Sequence, residues 1–251
     1  MIEAVDIYKS FGGREVMHGV TSVFEDGKTN LIIGKSGSGK TVLLKSLVGL
    51  YDVDLGSILY DGRDTTRMGR KDRLKLRQEI GMIFQGSALF DYMTVLENVR
   101  FPLDMFTDLS SAERNKRAQE CLRRVNMEEA ADRLFPAEIS GGMQKRVAIA
   151  RAIVLGPRYL FCDEPNSGLD PVTSGVIDTL ISEITHESGI TTIINTHDMN
   201  SVFTIGEHIC FIERGHKLWE GDMTNILQSD CPELKSFMES AVRLMSKGKT
   251  E

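Results

Sequence analysis

Short apolar stretches alternate with turns along the first fifty residues. The segments Ile2–Tyr8 and Val16–Phe24 have the length and composition of strands, and the apolar run Thr29–Ile33 predicts a third strand. This run stops at a glycine-rich loop. The segment after the loop, Val42–Val48, is dense in Leu and Val and is followed by a glycine, which is typical of a buried helix. A strand, a glycine-rich loop and a helix in this order are the beginning of a nucleotide-binding unit.

The middle of the chain has a helical pattern. Ser110–Asn126 carries Leu and Ala among many charged residues, as an amphipathic helix does. Two apolar runs of strand length follow, Tyr159–Cys162 and Thr191–Asn195. Between them, Asp170 followed by proline is a favourable helix start, because Asp caps free N–H groups and proline fits the first helical position. The character of the sequence changes over roughly residues 70–155, and the whole pattern predicts an α/β core with a helical lobe.

The composition is that of a folded protein without a membrane span. The chain has 251 residues, of which 41% are hydrophobic and 26% charged, enough for one large α/β domain or two small ones. Its longest apolar runs, such as Leu47–Tyr51 and Ala152–Gly156, have five residues, whereas a membrane-spanning helix needs about 20. The net charge of −6 argues against a nucleic-acid-binding protein. The acidic residues near Met1 are unlike a signal peptide, so we expect no export.

Neither the cysteines nor the basic residues form a recognisable site. Cys121, Cys162, Cys210 and Cys231 are scattered without a CxxC pair, so we expect no zinc site and no redox motif. The stretch Arg63–Arg77 holds seven Lys or Arg residues with acidic residues between them. A solvated surface and an anion-binding patch are both consistent with this pattern, and the interspersed acids favour the former.

The glycine-rich loop matches the pattern G-x-x-x-x-G-K-[ST]; its residues are Gly34, Lys35, Ser36, Gly37, Ser38, Gly39, Lys40 and Thr41. Glycines let the backbone wrap around phosphate groups with successive N–H groups pointing inward, and the following helix adds the positive end of its dipole. Lys40 supplies a charge for the β- and γ-phosphates, and the Thr41 hydroxyl can ligate Mg²⁺. The loop predicts nucleotide binding but does not distinguish a kinase, a GTPase, a motor and a transporter ATPase.

A second candidate site lies where the apolar run Tyr159–Cys162 ends in two carboxylates, Asp163 and Glu164. At a strand end, Asp163 can hold Mg²⁺ through water, and Glu164 is placed to orient and deprotonate an attacking water. Paired acids after a strand are also common in solvated loops. By themselves, these two residues leave both interpretations open.

Five further features stand out along the chain: Phe11, Gln85, the segment Ser140–Ala152, the segment Ser167–Asp170 and His197. In their order and spacing they resemble motifs of the ABC-type ATPases, namely the adenine-stacking aromatic, the Q-loop glutamine, the signature, the D-loop and the switch histidine. The resemblance covers roughly residues 3–225. It implies a P-loop NTPase fold of the ABC cassette type, with a RecA-like core, an N-terminal antiparallel β part and a helical lobe.

The resemblance also implies ATP and Mg²⁺ as cofactors and assigns site residues. Those implied to bind nucleotide are Phe11 at the adenine, Gly34–Thr41 at the phosphates, and Ser140, Gly141 and Gly142 at the γ-phosphate held by the opposite subunit. Those implied to hold Mg²⁺ are Thr41, Gln85 and Asp163, and those implied in hydrolysis are Lys40, Gln85, Glu164 and His197. The signature departs from the common pattern at Met143, where glutamine is usual, so this position is not offered as a polar nucleotide contact.

We expect a single ABC ATPase domain over residues 1–251. Its catalytic core spans about 1–84 and 157–228, its helical lobe about 85–156, and its C-terminal helical tail 229–251. The tail has apolar residues at helical spacing, namely Leu234, Phe237, Met238, Ala241 and Met245. Docking on its own domain and packing across a dimer are both open for this helix.

Within the resembled family, members for chromosome maintenance and repair have a long coiled coil, and translation-type members carry two cassettes. This chain has one cassette and no long coiled coil, so the remaining candidates are a transporter subunit and a soluble iron–sulfur assembly ATPase. The segments Phe84–Val99 and Glu164–Ser174, with Met143, resemble the Mla/Mce-type ATPases that drive phospholipid transport between bacterial membranes. The alternative is the ATPase subunit of a small-solute importer, for example for amino acids. The iron–sulfur type is less favoured, because its signature continues with charged residues where Met143 stands.

The partners implied by the resemblance are a second copy of the chain, an integral membrane permease, and an Mce-like or other substrate-binding subunit. Nucleic acid is not among them. The permease is expected to contact residues 85–96, where seven apolar residues lie between Ala88 and Leu96. This arrangement places the protein in the cytoplasm, on the inner face of the inner membrane.

Overall fold

The structure, a computed structural model, describes the backbone of residues 1–247 and the side chains of residues 1–239. The chain separates into two units. Unit 1 comprises residues 1–70 together with the chain from Thr191 onward, and unit 2 comprises Lys71–Ile190. Our boundaries for the helical lobe, 85 and 156, remain a prediction.

The strands are β1 Ile2–Phe11, β2 Arg14–Phe24, β3 Thr29–Ile33, β4 Leu55–Tyr60, β5 Arg63–Asp64, β6 Ile80–Ile83, β7 Tyr159–Asp163, β8 Thr191–Thr196, β9 His208–Glu213 and β10 His216–Gly221. The helices are α1 Lys40–Leu47, α2 Arg70–Gln78, α3 Val95–Phe106, α4 Ser111–Arg124, α5 Gly141–Ile153, α6 Pro171–Ser188, α7 Met199–Ile205 and α8 Pro232–Lys247.

Unit 1 contains two groups of strands. In the first, β2, β1, β4 and β5 pair antiparallel in that order. In the second, β9, β3 and β8 run parallel and β10 pairs antiparallel with β9. Every residue of β3 and β8 is buried, as expected for parallel strands that are covered on both faces. The glycine-rich loop therefore leaves a rigid buried strand.

Unit 2 contains the parallel pair β6 and β7 and most of the helices. Helices α3 and α4 both begin with capping boxes, in which Thr94 and Ser110 pair with the glutamates three residues later. Asp170 caps α6, with Pro171 in its first position. The predicted helix start at Asp170 and the predicted amphipathic helix near Ser110–Asn126 are thus confirmed.

Two of the boundaries that differ from the sequence prediction have a clear physical reason. Strand β1 continues to Phe11 rather than ending at Tyr8, because it pairs with β2 as far as Arg14. Helix α1 begins at Lys40 rather than Val42. The apolar pattern missed its first turn, since the polar residues Lys40 and Thr41 are placed there by the loop and not by the core.

The C-terminal helix α8 belongs to unit 1, and its beginning packs against β9. Leu234 and Phe237 are buried, and the Phe237 ring lies 5.6 Å from that of Phe211. The predicted apolar positions Ala241 and Met245 lie outside the residues whose side chains are described. No helix within residues 1–247 combines the length and the apolar character needed to cross a membrane.

Candidate functional site

The glycine-rich loop between β3 and α1 encloses a buried ammonium group. The side chain of Lys40 is only 4% exposed, and its Nζ donates hydrogen bonds to the carbonyl oxygens of Gly34 (2.9 Å) and Lys35 (3.0 Å). The hydroxyl of Ser38 is buried and has no hydrogen-bond partner among the described residues. A charged donor and an unsatisfied polar atom inside one loop fit an anionic ligand such as a phosphate chain.

Gly34 shows why the loop needs glycine. Its φ is +151°, and a Cβ built on it would lie 2.1 Å from the carbonyl oxygen of Ile212. No side chain fits there, so the loop passes tightly against the end of β9. At the other end, Gly39 is the N-cap of α1 with φ of 111° and no side-chain cap. The first N–H groups of the helix are therefore not used by a cap.

Thr41 and His197 also lie in unit 1. Asn195, on β8, donates a hydrogen bond from Nδ2 to the Thr41 hydroxyl oxygen (3.2 Å), which orients this proposed Mg²⁺ ligand. His197 follows the end of β8 and is exposed. Within the described residues, no group of three or more His, Cys, Asp or Glu side chains could hold a metal ion. A Mg²⁺ ion bound through ATP needs only one or two protein ligands, so a hydroxyl such as that of Thr41 fits it.

Phe11 ends β1 with 43% of its surface exposed, as a ring that stacks on a base should be. It packs edge-on against Tyr51, with 5.2 Å between ring centroids, and Lys9 Nζ lies 5.3 Å from its centre. The sequence did not identify Tyr51 as a neighbour of this ring.

In unit 2, three motifs meet at Gln85. Its side-chain Nε2 donates to the Ser167 hydroxyl (3.2 Å), which belongs to the D-loop. Its carbonyl oxygen accepts a hydrogen bond from Nζ of Lys145, in the signature helix α5. Lys145 is buried, and this burial lowers its pKa. The sequence gave no role to Lys145; a lysine among the apolar residues of α5 was the only available signal.

Asp163 and Glu164 stand at the end of β7, as predicted. Asp163 is buried, whereas Glu164 is half-buried. Glu164 has φ of +49°. A residue with a Cβ is strained in this left-handed conformation, and such strain is frequent at catalytic positions.

The signature helix α5 begins at an exposed end. Ser140 is its N-cap, and its hydroxyl accepts a hydrogen bond from the backbone N–H of Met143 (3.3 Å). Ser140 and Gly141 are exposed and Gly142 is half-buried. The serine therefore faces solvent at the beginning of a helix, where an anion is favoured.

The segment after Gln85 borders an apolar groove of about 410 Å³ in unit 2. Its aromatic lining consists of Phe84, Phe90, Phe101 and Phe106, with Arg77 and Arg151 at its border. Tyr92 is 74% exposed, whereas Val95 is buried. The predicted apolar cluster is therefore part core and part open surface.

The structure thus places the predicted site residues in two sets. Unit 1 carries Phe11, the loop Gly34–Thr41 and His197. Unit 2 carries Gln85, the signature start Ser140–Gly142, and the pair Asp163 and Glu164. Asn195, Tyr51 and Lys145 are neighbours that the structure adds, and it places Ser167 of the predicted D-loop against Gln85.

A buried strand, a glycine-rich loop with a buried lysine, and a helix without a side-chain cap define a P-loop nucleotide-binding protein. Residues 17–167 match the ABC transporter family, and the chain belongs to this family. It is accordingly an ABC ATPase.

Similar proteins agree with this assignment. The chain is 38% identical over 237 residues to a probable ribonucleotide transport ATP-binding protein, mkl, of Mycobacterium leprae, covering 94% of this chain and 68% of that protein. It is 35% identical over 243 residues to a methionine import ATP-binding protein, MetN, of Rhizobium johnstonii, covering 97% and 67%. The chain therefore spans about two-thirds of the length of these relatives.

Solved structures confirm the predicted fold class. A dimeric structure of a bacterial ABC transporter cassette superposes with a TM-score of 0.82 at 33% identity, covering 89% of this chain and 99% of that one. A post-hydrolysis state of an ATP-binding cassette bound to ADP and Pi gives a TM-score of 0.81 at 32% identity, with the same coverage.

Proposed function

We propose that this chain binds ATP with Mg²⁺, pairs with a second copy of itself, and drives a membrane permease that moves phospholipid or another lipid between bacterial membranes. The observation that carries the transport role is the apolar groove next to Gln85 together with the neighbouring ring of Tyr92, which lies 5.8 Å from the Phe90 ring of the groove and stands in solvent. An apolar groove of this kind supports a partner of apolar character.

In this proposal, the unit 1 residues hold the nucleotide. Phe11 stacks on the adenine, Lys40 neutralises charge on the β- and γ-phosphates, and Thr41 contributes a hydroxyl to Mg²⁺. The buried hydrogen bonds of Lys40 to Gly34 and Lys35 support this role, because they keep its ammonium inside the loop.

The unit 2 residues are proposed to act on the γ-phosphate and the attacking water. Asp163 and Gln85 assist Mg²⁺, and Glu164 removes a proton from water. His197, from unit 1, assists at the γ-phosphate. The strained backbone of Glu164 and the two hydrogen bonds that position Gln85 support these assignments.

The groove next to Gln85 is pre-organised by two polar side chains. Asn98 is buried, donates to the carbonyl oxygens of Phe90 (3.1 Å) and Met93 (3.0 Å), and accepts from the N–H of Phe90 (2.8 Å). Arg151 donates to the carbonyl oxygens of Ser87 (2.7 Å) and Ala88 (2.8 Å). A rim fixed in this way presents Tyr92 at little further entropic cost, which favours binding.

Tyr92→Ala tests the permease role. An exposed aromatic anchor that a partner covers contributes roughly 2 kcal/mol to binding, so the variant should lose about 30-fold in affinity for the permease. Nucleotide affinity should not change, since Tyr92 is not among the residues proposed to bind nucleotide. Leu227→Ala is the matched control, because Leu227 is an exposed apolar side chain (68%) of unit 1. Permease co-purification and ATP titration are measured for both variants.

Equal co-purification of the Tyr92 and Leu227 variants would contradict this use of the groove. Phe90→Ala is less informative: its ring packs 4.9 Å from that of Phe101 and beneath Arg151, so its removal also damages the lobe.

The lipid cargo is proposed from the resemblance of Phe84–Val99 and Glu164–Ser174 to the Mla/Mce-type ATPases. The second candidate is a small-solute importer, which the relatives named for methionine import and ribonucleotide transport favour. Purification of the whole complex from membranes, followed by mass spectrometry of its proteins and bound lipids, separates the two. Phospholipid with an Mce-like subunit supports lipid transport, and a solute-binding subunit without lipid supports the importer.

A further inference from the structure

The turn between β9 and β10 lies directly against the glycine-rich loop, and both belong to unit 1. The backbone N–H of Gly215, in this turn, donates a hydrogen bond to the carbonyl oxygen of Ser38 (2.8 Å). A second contact joins the same elements, since Gly34 packs on the carbonyl oxygen of Ile212 at the end of β9. The hairpin therefore touches the loop near both of its ends.

The hydrogen bond to Ser38 fixes the direction of one peptide group. In a trans peptide, the C=O and the N–H point in opposite directions. Because the Ser38 oxygen faces the hairpin, the N–H of Gly39 faces away from it. Gly39 has no Cβ and has φ of 111°, so sterics alone do little to prevent this peptide from rotating. The bond from Gly215 supplies the missing restraint.

Gly215 is itself held in place by β2. Its φ is +78°, and a Cβ on it would lie 2.1 Å from the carbonyl oxygen of Val16. The N–H of His18 donates to the Gly215 oxygen (3.0 Å). The imidazole rings of His18 and His216 are stacked, with centroids 4.6 Å apart and an angle of 15° between them. Strand β2, the hairpin turn and the loop thus form one continuous set of contacts.

We propose that Gly215 is a positioning residue for ATP binding: its N–H holds the Ser38–Gly39 peptide so that the Gly39 N–H is available to the phosphates. This inference rests on the proposed phosphate-binding role of Gly34–Thr41. In this role, Gly215 acts on the nucleotide only through the direction of one loop peptide. The stacked rings of His18 and His216 hold the Gly215 N–H within hydrogen-bond distance of the Ser38 carbonyl oxygen.

An amide-to-ester exchange at Gly215, made by semisynthesis of the full chain, removes the donor without adding an atom that could clash. The matched control is the same exchange at Gly206, whose N–H donates to the carbonyl of Val202 (3.1 Å) at the end of α7. Both exchanges remove one backbone hydrogen bond in unit 1. Thermal unfolding and ATP affinity are measured for both.

We expect the Gly215 ester to bind ATP about three- to tenfold more weakly, the effect of one neutral hydrogen bond, and the Gly206 ester to bind as the unmodified chain does. Equal ATP affinities of the two esters would overturn the proposal. Lys40→Ala is measured alongside: unchanged ATP affinity in that variant would contradict the phosphate role of the loop itself, independently of Gly215.

If the Gly215 ester does not fold, a pair of variants at His216 decides. His216→Ala removes the ring that stacks on His18, whereas His216→Phe keeps a flat ring there. A higher KM for ATP in His216→Ala, restored by His216→Phe and with kcat little changed, supports the positioning role. Wild-type KM in both variants, or the same loss in both, overturns it.

Discussion

Two glycine-rich helix starts, one in each unit, differ in what they leave open. Helix α1 follows Gly39, which provides no side-chain cap, and its first residue, Lys40, is buried with its ammonium inside the loop. Helix α5 follows Ser140, whose own hydroxyl caps the N–H of Met143. The start of α5 is exposed and has no charged residue before Lys145, whose ammonium bonds to Gln85.

In the proposed function, the first start acts as a complete anion site and the second as half of one. An uncapped helix with a buried cation can bind phosphate within one chain. An exposed, self-capped helix without a local cation offers only N–H groups and a hydroxyl, so it needs an anion that is already held elsewhere. This difference is consistent with a nucleotide bound by α1 of one chain and completed by α5 of its partner.

Glu164→Gln should produce the largest effect, because it separates binding at α1 from the chemical step. We expect hydrolysis to slow by roughly 10²–10⁴-fold, the usual contribution of a general base. ATP affinity should be retained, since the amide keeps the shape of the carboxylate and removes a negative charge. The variant should accumulate as an ATP-bound dimer, measured by size-exclusion chromatography with ATP. Turnover close to that of the wild type would contradict the assigned role.

The next largest effect is on ATP affinity, and it distinguishes the start of α1 from the start of α5. Lys40→Ala should weaken ATP binding to the isolated chain by about 10- to 100-fold, the range for a charged hydrogen bond. Ser140→Ala should leave that affinity nearly unchanged and lower the free energy of unfolding by about 1 kcal/mol through the lost cap. Isothermal titration with ATP and urea unfolding give the two quantities. Equal losses of affinity would show that the two helix starts do not have separate roles.

Mixing two inactive chains tests whether the half site is completed by the partner. Lys40→Ala and Ser140→Arg are each expected to be inactive as homodimers. Random mixing makes about half of the dimers mixed, each with one intact site, so activity should recover to at most about a quarter of wild type. An absence of recovery from folded, dimeric chains would mean that Ser140 acts within its own chain.

The sequence predicted the parts of both helix starts that depend on local pattern. The spacing of glycines around Lys40 and the order of the motifs gave the loop and the fold class, and Asp170 gave the start of α6. It could not give the contacts between distant segments. Nothing near Ser38 indicates that its carbonyl is held by Gly215, and nothing near Gln85 indicates Lys145.

Polar residues inside apolar patterns were the hardest to interpret. Asn98 lies in the first turn of α3, and the sequence gives it no role, yet it is buried and bonds to the loop that precedes the helix. Its role depends on where the chain folds back, which is a property of tertiary packing rather than of the local sequence.

The last expected effect concerns a carboxylate on the hairpin that contacts the glycine-rich loop before α1. Glu220, on β10, accepts hydrogen bonds from His208 (3.2 Å) and from the Ser22 hydroxyl (2.8 Å), and it pairs with Lys217. Burial acts to raise its pKa, but the hydrogen bonds from these three residues outweigh burial and lower the pKa to about 2. The bond to Ser22 ties the hairpin that supports the loop to β2.

The pKa of Glu220 in the folded protein lies below its ordinary value of 4.5, so its contribution to stability is present above that value and is lost as pH falls towards about 2. Glu220→Gln should therefore lower the free energy of unfolding by about 1–2 kcal/mol at neutral pH, and this difference from wild type should shrink below about pH 4.5. Glu129→Gln is the control, because Glu129 pairs with Arg123 at the surface with its side chain 73% exposed. Urea unfolding of all three proteins across this range gives the difference directly. If the difference in unfolding free energy between wild type and Glu220→Gln stays constant with pH, the amide disturbs packing rather than charge. The hairpin then does not depend on an ionised Glu220.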